Sequence, residues 1–217
     1  MKVLVFNGWA AGHETWDLCA FPHDWVFSYL EQLDGLPERV LDDSDEVLLV
    51  GFSMGGVSAL KLLMRSPEKV RGLVLVSTTP RMMEERRRKA KGEGEEVVWK
   101  GLSPRRLAAL KLGTEMLFRE DPSPIYAAAN LNRGLEFLQA HDLREQLRQF
   151  VAAHPCTFPV AVFHSERDGV VRPHNPAFFQ AVFPQAVVTM VPGNEHVLPV
   201  TVPELIDAAV KGMLTRS

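Results

Sequence analysis

Short runs of apolar, β-favouring residues recur along the chain, each bounded by turn residues: 3–6, 47–50, 73–76, 160–163 and 187–191. Inside these runs the apolar character is continuous and does not alternate with polar positions. Strands buried on both faces have this pattern, so the runs predict a parallel sheet covered by helices on either side. A further short strand is expected near Arg39-Val40-Leu41. Helical patterns follow most of the runs, at about 25–33, 55–64, 173–183 and 202–214. In the last of these Pro203 sits in the first turn, where its missing N–H costs nothing. Strands alternating with helices make this an α/β fold.

The pattern changes between the third and fourth of these runs. Residues 80–154 show no convincing strand, only charged, leucine-punctuated helical patterns such as 107–117 and 131–150, broken by Pro104, Pro122 and Pro124. The expected organisation is therefore a core built from 1–79 and 155–217, with 80–154 inserted between two core strands as a helical cap. The Glu/Lys/Arg run at 84–96 reads as a solvated helix face and loop.

Composition narrows the class. With 217 residues, 46% hydrophobic and 24% charged, the chain fits one domain with an insertion and a sizeable core, and is not disordered or collagen-like. A net charge of −3 argues against a nucleic-acid partner. No stretch approaches about eighteen consecutive apolar residues, so no membrane span is expected. The first residues read directly as a strand and lack the features of a signal peptide, which makes a cytoplasmic location the expectation. Cys19 and Cys156 have neither disulfide-framework nor metal-ligand spacing and are read as reduced thiols.

The chemistry is concentrated at Gly51-Phe52-Ser53-Met54-Gly55, which lies between an apolar strand and a helical pattern. Strand, sharp turn centred on serine, then helix is a nucleophile elbow: the glycines let the helix pass close to the strand, and the serine is held up at the sheet edge. Read blandly, the same residues are a glycine-rich turn with a serine N-cap. A serine hydroxyl is a weak nucleophile until a base takes its proton and a third group orients that base. In the order serine, acid, histidine, Asp168 follows the run at 160–163 and His196 follows the run at 187–191, each in a loop. Glu166 is the competing acid, nearer the strand end; Asp168 before Gly169 could also be a plain turn residue. His13, His23, His141, His154, His164 and His174 lack such placement and are read as structural or surface residues. Charge developing on a carbonyl oxygen needs preorganised N–H donors. Met54, directly after the serine, and Trp9, in the glycine-rich loop Asn7-Gly8-Trp9-Ala10-Ala11-Gly12, are the candidate oxyanion donors; the Trp9 indole could line an acyl pocket or simply pack.

Taken together, Asn7-Gly8-Trp9, Gly51-Phe52-Ser53-Met54-Gly55-Gly56, Asp168 and His196 resemble the α/β-hydrolase superfamily. Within it they look most like the pimeloyl-acyl-carrier-protein methyl ester esterases of biotin synthesis. The resemblance implies a mostly parallel sheet, shortened to about six strands, and an esterase needing no metal or organic cofactor. Many members carry histidine where this chain has Asn7, a difference in loop support that leaves the backbone donors in place. The expected activity is a serine carboxyl-ester hydrolase working through an acyl-enzyme on a small or carrier-bound acyl ester of short to medium length. An acyl thioesterase or acyltransferase with the same triad is the first alternative, and a non-catalytic ligand-binding protein on a hydrolase scaffold the second. Arg81, Arg86, Arg87, Arg88, Lys89 and Lys91 outnumber Glu84 and Glu85 in the segment 81–91 of a chain that is acidic overall. That segment reads either as a solvated face or as a docking patch for an acidic acyl carrier protein.

Overall fold

The computed structural model describes residues 1–81, 84–89, 95–100 and 124–215. Strands β1 (Lys2–Phe6), β2 (Trp25–Phe27), β3 (Val47–Phe52) and β4 (Val70–Val76) precede an antiparallel pair, β5 (Glu84–Lys89) and β6 (Glu95–Lys100), and β7 (Val160–Ser165) and β8 (Val187–Val191) follow. Six of them form one parallel sheet in the order β2-β1-β3-β4-β7-β8. The helices are α1 (Tyr29–Leu33), α2 (Leu36–Asp42), α3 (Met54–Arg65), α4 (Ala128–Ala140), α5 (Arg144–Ala153), α6 (Asn175–Val182), α7 (Leu198–Thr201) and α8 (Pro203–Leu214).

Continuous apolar strands bury both faces of this sheet. Val3, Val5, Leu48, Val50, Val74, Val76, Ala161 and Phe163 join Trp16, Phe21 and Ile206, Val210 and Met213 of α8 in one core cluster. Leu4, Phe6, Leu49, Leu73, Leu75, Val160 and Val162 join Val57, Leu60 and Leu63 of α3 and Phe179 of α6 in the other. Each fully buried side chain of this size contributes about 1.5–3 kcal/mol, which is why the strands tolerate no polar alternation. After β2 the chain crosses back over β1 to form β3, so the direction of winding reverses between β1 and β3. At such a reversal the loops leaving the two strands diverge and open a crevice at their carboxyl ends.

Four expectations are corrected. Residues 25–33 do not form one helix, because β2 occupies 25–27 and Ser28 then caps α1 through a reciprocal pair with Glu31. The strand expected near Arg39-Val40-Leu41 is helical: Pro37 opens α2 and buries Val40 and Leu41 on one side. The sixth strand of the sheet is therefore β2. Within the inserted region, 84–89 and 95–100 pair as strands rather than forming a helix face, in a register that sets Arg88 opposite Glu96 and Lys89 opposite Glu95. The helical pattern at 131–150 is divided at His141–Leu143, where Asp142 bridges to Arg81 and the Leu143 N–H donates to the Pro80 carbonyl. The helix expected at 107–117 lies outside the described residues. Among the described residues no helix is long and apolar enough to cross a membrane.

Four contacts fasten the inserted helices to the sheet elements around β1 and β3. The Trp9 indole N–H donates to the Leu131 carbonyl at 2.9 Å, the Tyr29 hydroxyl to the Ile125 carbonyl, and Arg133 pairs with Asp34. The fourth is Lys61 of α3, whose Nζ lies 3.0 Å from His141 Nε2 while His141 Nδ1 donates to the Phe137 carbonyl. Nε2 is then the acceptor of a Lys61 proton. Burial is the main influence on His141 and pushes its pKa down; the Phe137 carbonyl opposes that and Lys61 reinforces it. A histidine with a depressed folded pKa contributes stability above its unfolded value, about 6.5, and that contribution is lost as pH falls through the folded value. Acidification below about pH 6.5 is expected to lower the melting temperature of the native protein more than that of His141→Gln, which keeps an acceptor but cannot titrate. Parallel melting curves from pH 7.5 to 5 would show that the contact does not sense protons.

Candidate active site

Ser53 stands at the crevice, between the last residue of β3 and the first of α3. Its backbone has φ 52° and ψ −118°, a region that L-residues avoid and that costs about 1–3 kcal/mol. Close packing enforces it. A Cβ on Gly51 would lie 2.6 Å from Gly56 Cα, and one on Gly55 would overlap the Phe6 carbonyl, so the helix can cross the strand end only without side chains at these positions. The Ser53 N–H donates to the Val76 carbonyl, and the Ser53 carbonyl accepts from the Gly56 N–H and from the Thr78 hydroxyl at 2.6 Å. Thr78, which no sequence signal singled out, thus secures the turn.

His196 sits in the loop between β8 and α7, with its Nε2 3.0 Å from Ser53 Oγ. The Phe52 ring lies 5.2 Å away against the imidazole. His196 Nδ1 donates to Asp168 Oδ2 at 2.8 Å, which leaves Nε2 free to accept the serine proton. Asp168 lies in the loop after β7. Its other oxygen, Oδ1, accepts the backbone N–H groups of Val170 and Val171 at 2.7 and 2.9 Å. The two loops are tied together: the Glu166 and Arg167 N–H groups donate to the carbonyls of Val191 and Gly193, and the Ser165 hydroxyl donates to the Glu195 carbonyl. Of the two candidate acids, Asp168 is buried against His196 and Glu166 is exposed.

Of the candidate oxyanion donors, Met54 follows Ser53 directly and Trp9 lies in the loop after β1. Met54 is the first residue of α3, and a first-turn N–H has no carbonyl four residues earlier to bond, so it is available to an external oxygen. The loop after β1 passes directly beside the serine: a Cβ on Gly8 would come within 3.1 Å of Ser53 Cβ. Ala10, at φ 58°, bends this loop, and the Ala11 N–H donates to the Gly8 carbonyl. The Trp9 indole is bonded to α4 and packs with Met54, Tyr29 and Leu138, joining the loop to the inserted helices. Asn7 is fully buried; its backbone N–H donates to the Phe27 carbonyl, and its carbonyl accepts from Gln32 Nε2.

Of the histidines read as structural or surface residues, His164 stands beside the acid of the triad. It is buried at the end of β7, 3.8 Å from Asp168 Oδ2. Its position in an otherwise apolar strand run is the signal that could have separated it from the others. Cys19 and Cys156 are free thiols, and burial, reinforced by Asp207 and Glu204, pushes the Cys19 pKa up to about 12.

Comparison with known proteins identifies the fold family. A family model described as the alpha/beta hydrolase fold matches residues 27–201. The chain is 27% identical to the pimeloyl-[acyl-carrier protein] methyl ester esterase of Yersinia enterocolitica, over 96% of this chain and 91% of that protein. It is 30% identical to the enzyme of the same name from Nitrosospira multiformis, over 76% and 68%. Among solved structures, a thermophilic esterase superposes with a TM-score of 0.67 at 21% identity, covering 99% of this chain and 90% of that one.

Proposed function

The chain belongs to the alpha/beta hydrolase fold family, and on that premise we propose that this hydrolase is a serine carboxyl-ester esterase working through an acyl-enzyme. The observation that carries the reading is the hydrogen-bonded chain from Ser53 Oγ through His196 to the buried Asp168. Ser53 Oγ attacks the ester carbonyl carbon while His196 Nε2 takes its proton, and Asp168 stabilises the imidazolium that results. The N–H groups of Met54 and Trp9 stabilise the oxyanion. Collapse of the tetrahedral adduct breaks the carbon–oxygen bond, and His196 returns the proton to the departing alcohol. Water, deprotonated by the same imidazole, then attacks the acyl-enzyme and releases the acid and Ser53.

The relatives named as pimeloyl-[acyl-carrier protein] methyl ester esterases support a carrier-bound acyl methyl ester as the substrate. In this reading 80–154 forms the cap that receives the acyl chain, and the work is cytoplasmic. A panel of p-nitrophenyl esters, methyl esters and acyl thioesters tests the bond specificity. Methyl esters of medium chains are expected to be cleaved with the highest kcat/KM; a clear preference for thioesters would replace the esterase assignment with a thioesterase.

The basic segment containing Arg81, Arg86, Arg87, Arg88, Lys89 and Lys91 is the proposed docking patch for the acidic carrier. Its residues 82, 83, 90 and 91 lie outside the described set, and its centre forms β5. Electrostatic docking accelerates encounter and is screened by salt. Reversing Arg86, Arg87 and Arg88 to glutamate is expected to raise KM for a carrier-bound ester roughly tenfold at low salt, while a small p-nitrophenyl ester is cleaved as before. Equal effects on both substrates, or none on either, would remove the docking role.

A further inference from the structure

Resting on that triad reading, we propose that His164 is a positioning residue that holds Asp168 in place for His196. The side chains of His164 and Asp168 are both completely buried. His164 Nε2 donates to the Val171 carbonyl at 3.2 Å, and Val171 is one of the two residues whose N–H groups grip Asp168 Oδ1. The imidazole therefore pins, from the end of β7, the turn that holds the carboxylate. The same Nε2 lies 3.8 Å from Asp168 Oδ2, the oxygen bonded to His196. That is too long for a hydrogen bond but close enough for its dipole to act on the carboxylate.

Packing alone does not explain a histidine here. With Nε2 as donor, Nδ1 is an acceptor, and it is buried with no hydrogen-bond partner among the described residues. An unsatisfied buried nitrogen is destabilising, so a phenylalanine would be the more stable occupant if the site needed only volume. The groups acting on the ring are Asp168, the Val171 carbonyl, His196 and His174. Burial, the largest influence, pushes its pKa down; Asp168 and the Val171 carbonyl pull it up, and the two histidines push it down further. A ring kept neutral supplies an N–H to the turn without placing a second cation beside Asp168, where it would compete with the His196 imidazolium.

The test compares His164→Phe, which keeps the volume and loses the donor, with His164→Gln, which restores an N–H at similar reach. On a small p-nitrophenyl ester, His164→Phe is expected to lose about 10- to 100-fold in kcat with KM little changed, because a triad displaced by a fraction of an ångström binds but does not react. His164→Gln should recover most of the kcat, because it restores the N–H to the Val171 carbonyl. A loss in His164→Phe that falls on KM instead of kcat, or a glutamine variant no better than the phenylalanine one, would leave His164 a packing residue and overturn the proposal. Should His164→Phe fail to fold, imidazole ¹H–¹⁵N correlation spectra of the native protein decide instead: a neutral ring protonated at Nε2 supports the role, and a ring protonated at Nδ1 or charged at the working pH overturns it. Ser53→Ala in the same ester assay separates the two readings. If it is inactive, the triad stands whichever way His164 falls; if it is active, the triad and the role of His164 fall together.

Discussion

Ser53→Ala is expected to lower kcat by on the order of 10⁴- to 10⁶-fold while the protein keeps its fold, because it removes the atom that forms the acyl-enzyme. The substitution removes one oxygen, and the backbone contacts that force φ 52° at this position, the Val76 carbonyl and the Gly56 N–H, remain. His196→Ala is expected to cost a similar factor. Combining the two should add little, since a serine without its base and a base without its serine are equally idle. The check is steady-state kinetics on a p-nitrophenyl ester, with circular dichroism to confirm folding. More than about a tenth of native activity in Ser53→Ala would remove the serine as nucleophile, because a missing nucleophile costs far more than that.

The second large effect concerns the acid. Asp168→Asn is expected to lower kcat by up to about 10⁴-fold, because an amide in place of the carboxylate lets His196 adopt the wrong tautomer and no longer stabilises the imidazolium. Glu166→Gln should remain close to native activity, as Glu166 is exposed while Asp168 bonds His196 at 2.8 Å. Both variants are measured at the pH optimum on the same ester. The reverse ranking would move the acid to Glu166.

These two expectations rest on residues that are legible in the chain because each ends a recognisable strand. Apolar runs at 47–50, 160–163 and 187–191 mark where β3, β7 and β8 lie, and so where Ser53, Asp168 and His196 emerge. Strand β2 is not legible in the same way. Its three residues run into the apolar positions of α1 and mimic a single helical face, and only the Ser28 and Glu31 pair records the boundary. The Val40-Leu41 pair is equally ambiguous, being too short for its period to be read, and Pro37 is what decides for a helix. The strand pair β5 and β6 escapes for another reason. Glu84–Lys89 contains no apolar residue, so no alternation betrays a strand. His164 illustrates a limit at the site itself, since its relation to Asp168 depends on how the chain turns at 168–171.

The most direct measurement is active-site labelling with a fluorophosphonate, followed by peptide mass spectrometry. Such a probe phosphonylates a serine that a neighbouring base has activated and passes over an ordinary hydroxyl. A single adduct is expected, on Ser53, formed rapidly in the native protein, much more slowly in His196→Ala, and absent in Ser53→Ala. A native protein that stays unlabelled, or carries its label on another residue, would contradict the serine mechanism and leave a hydrolase scaffold used for binding.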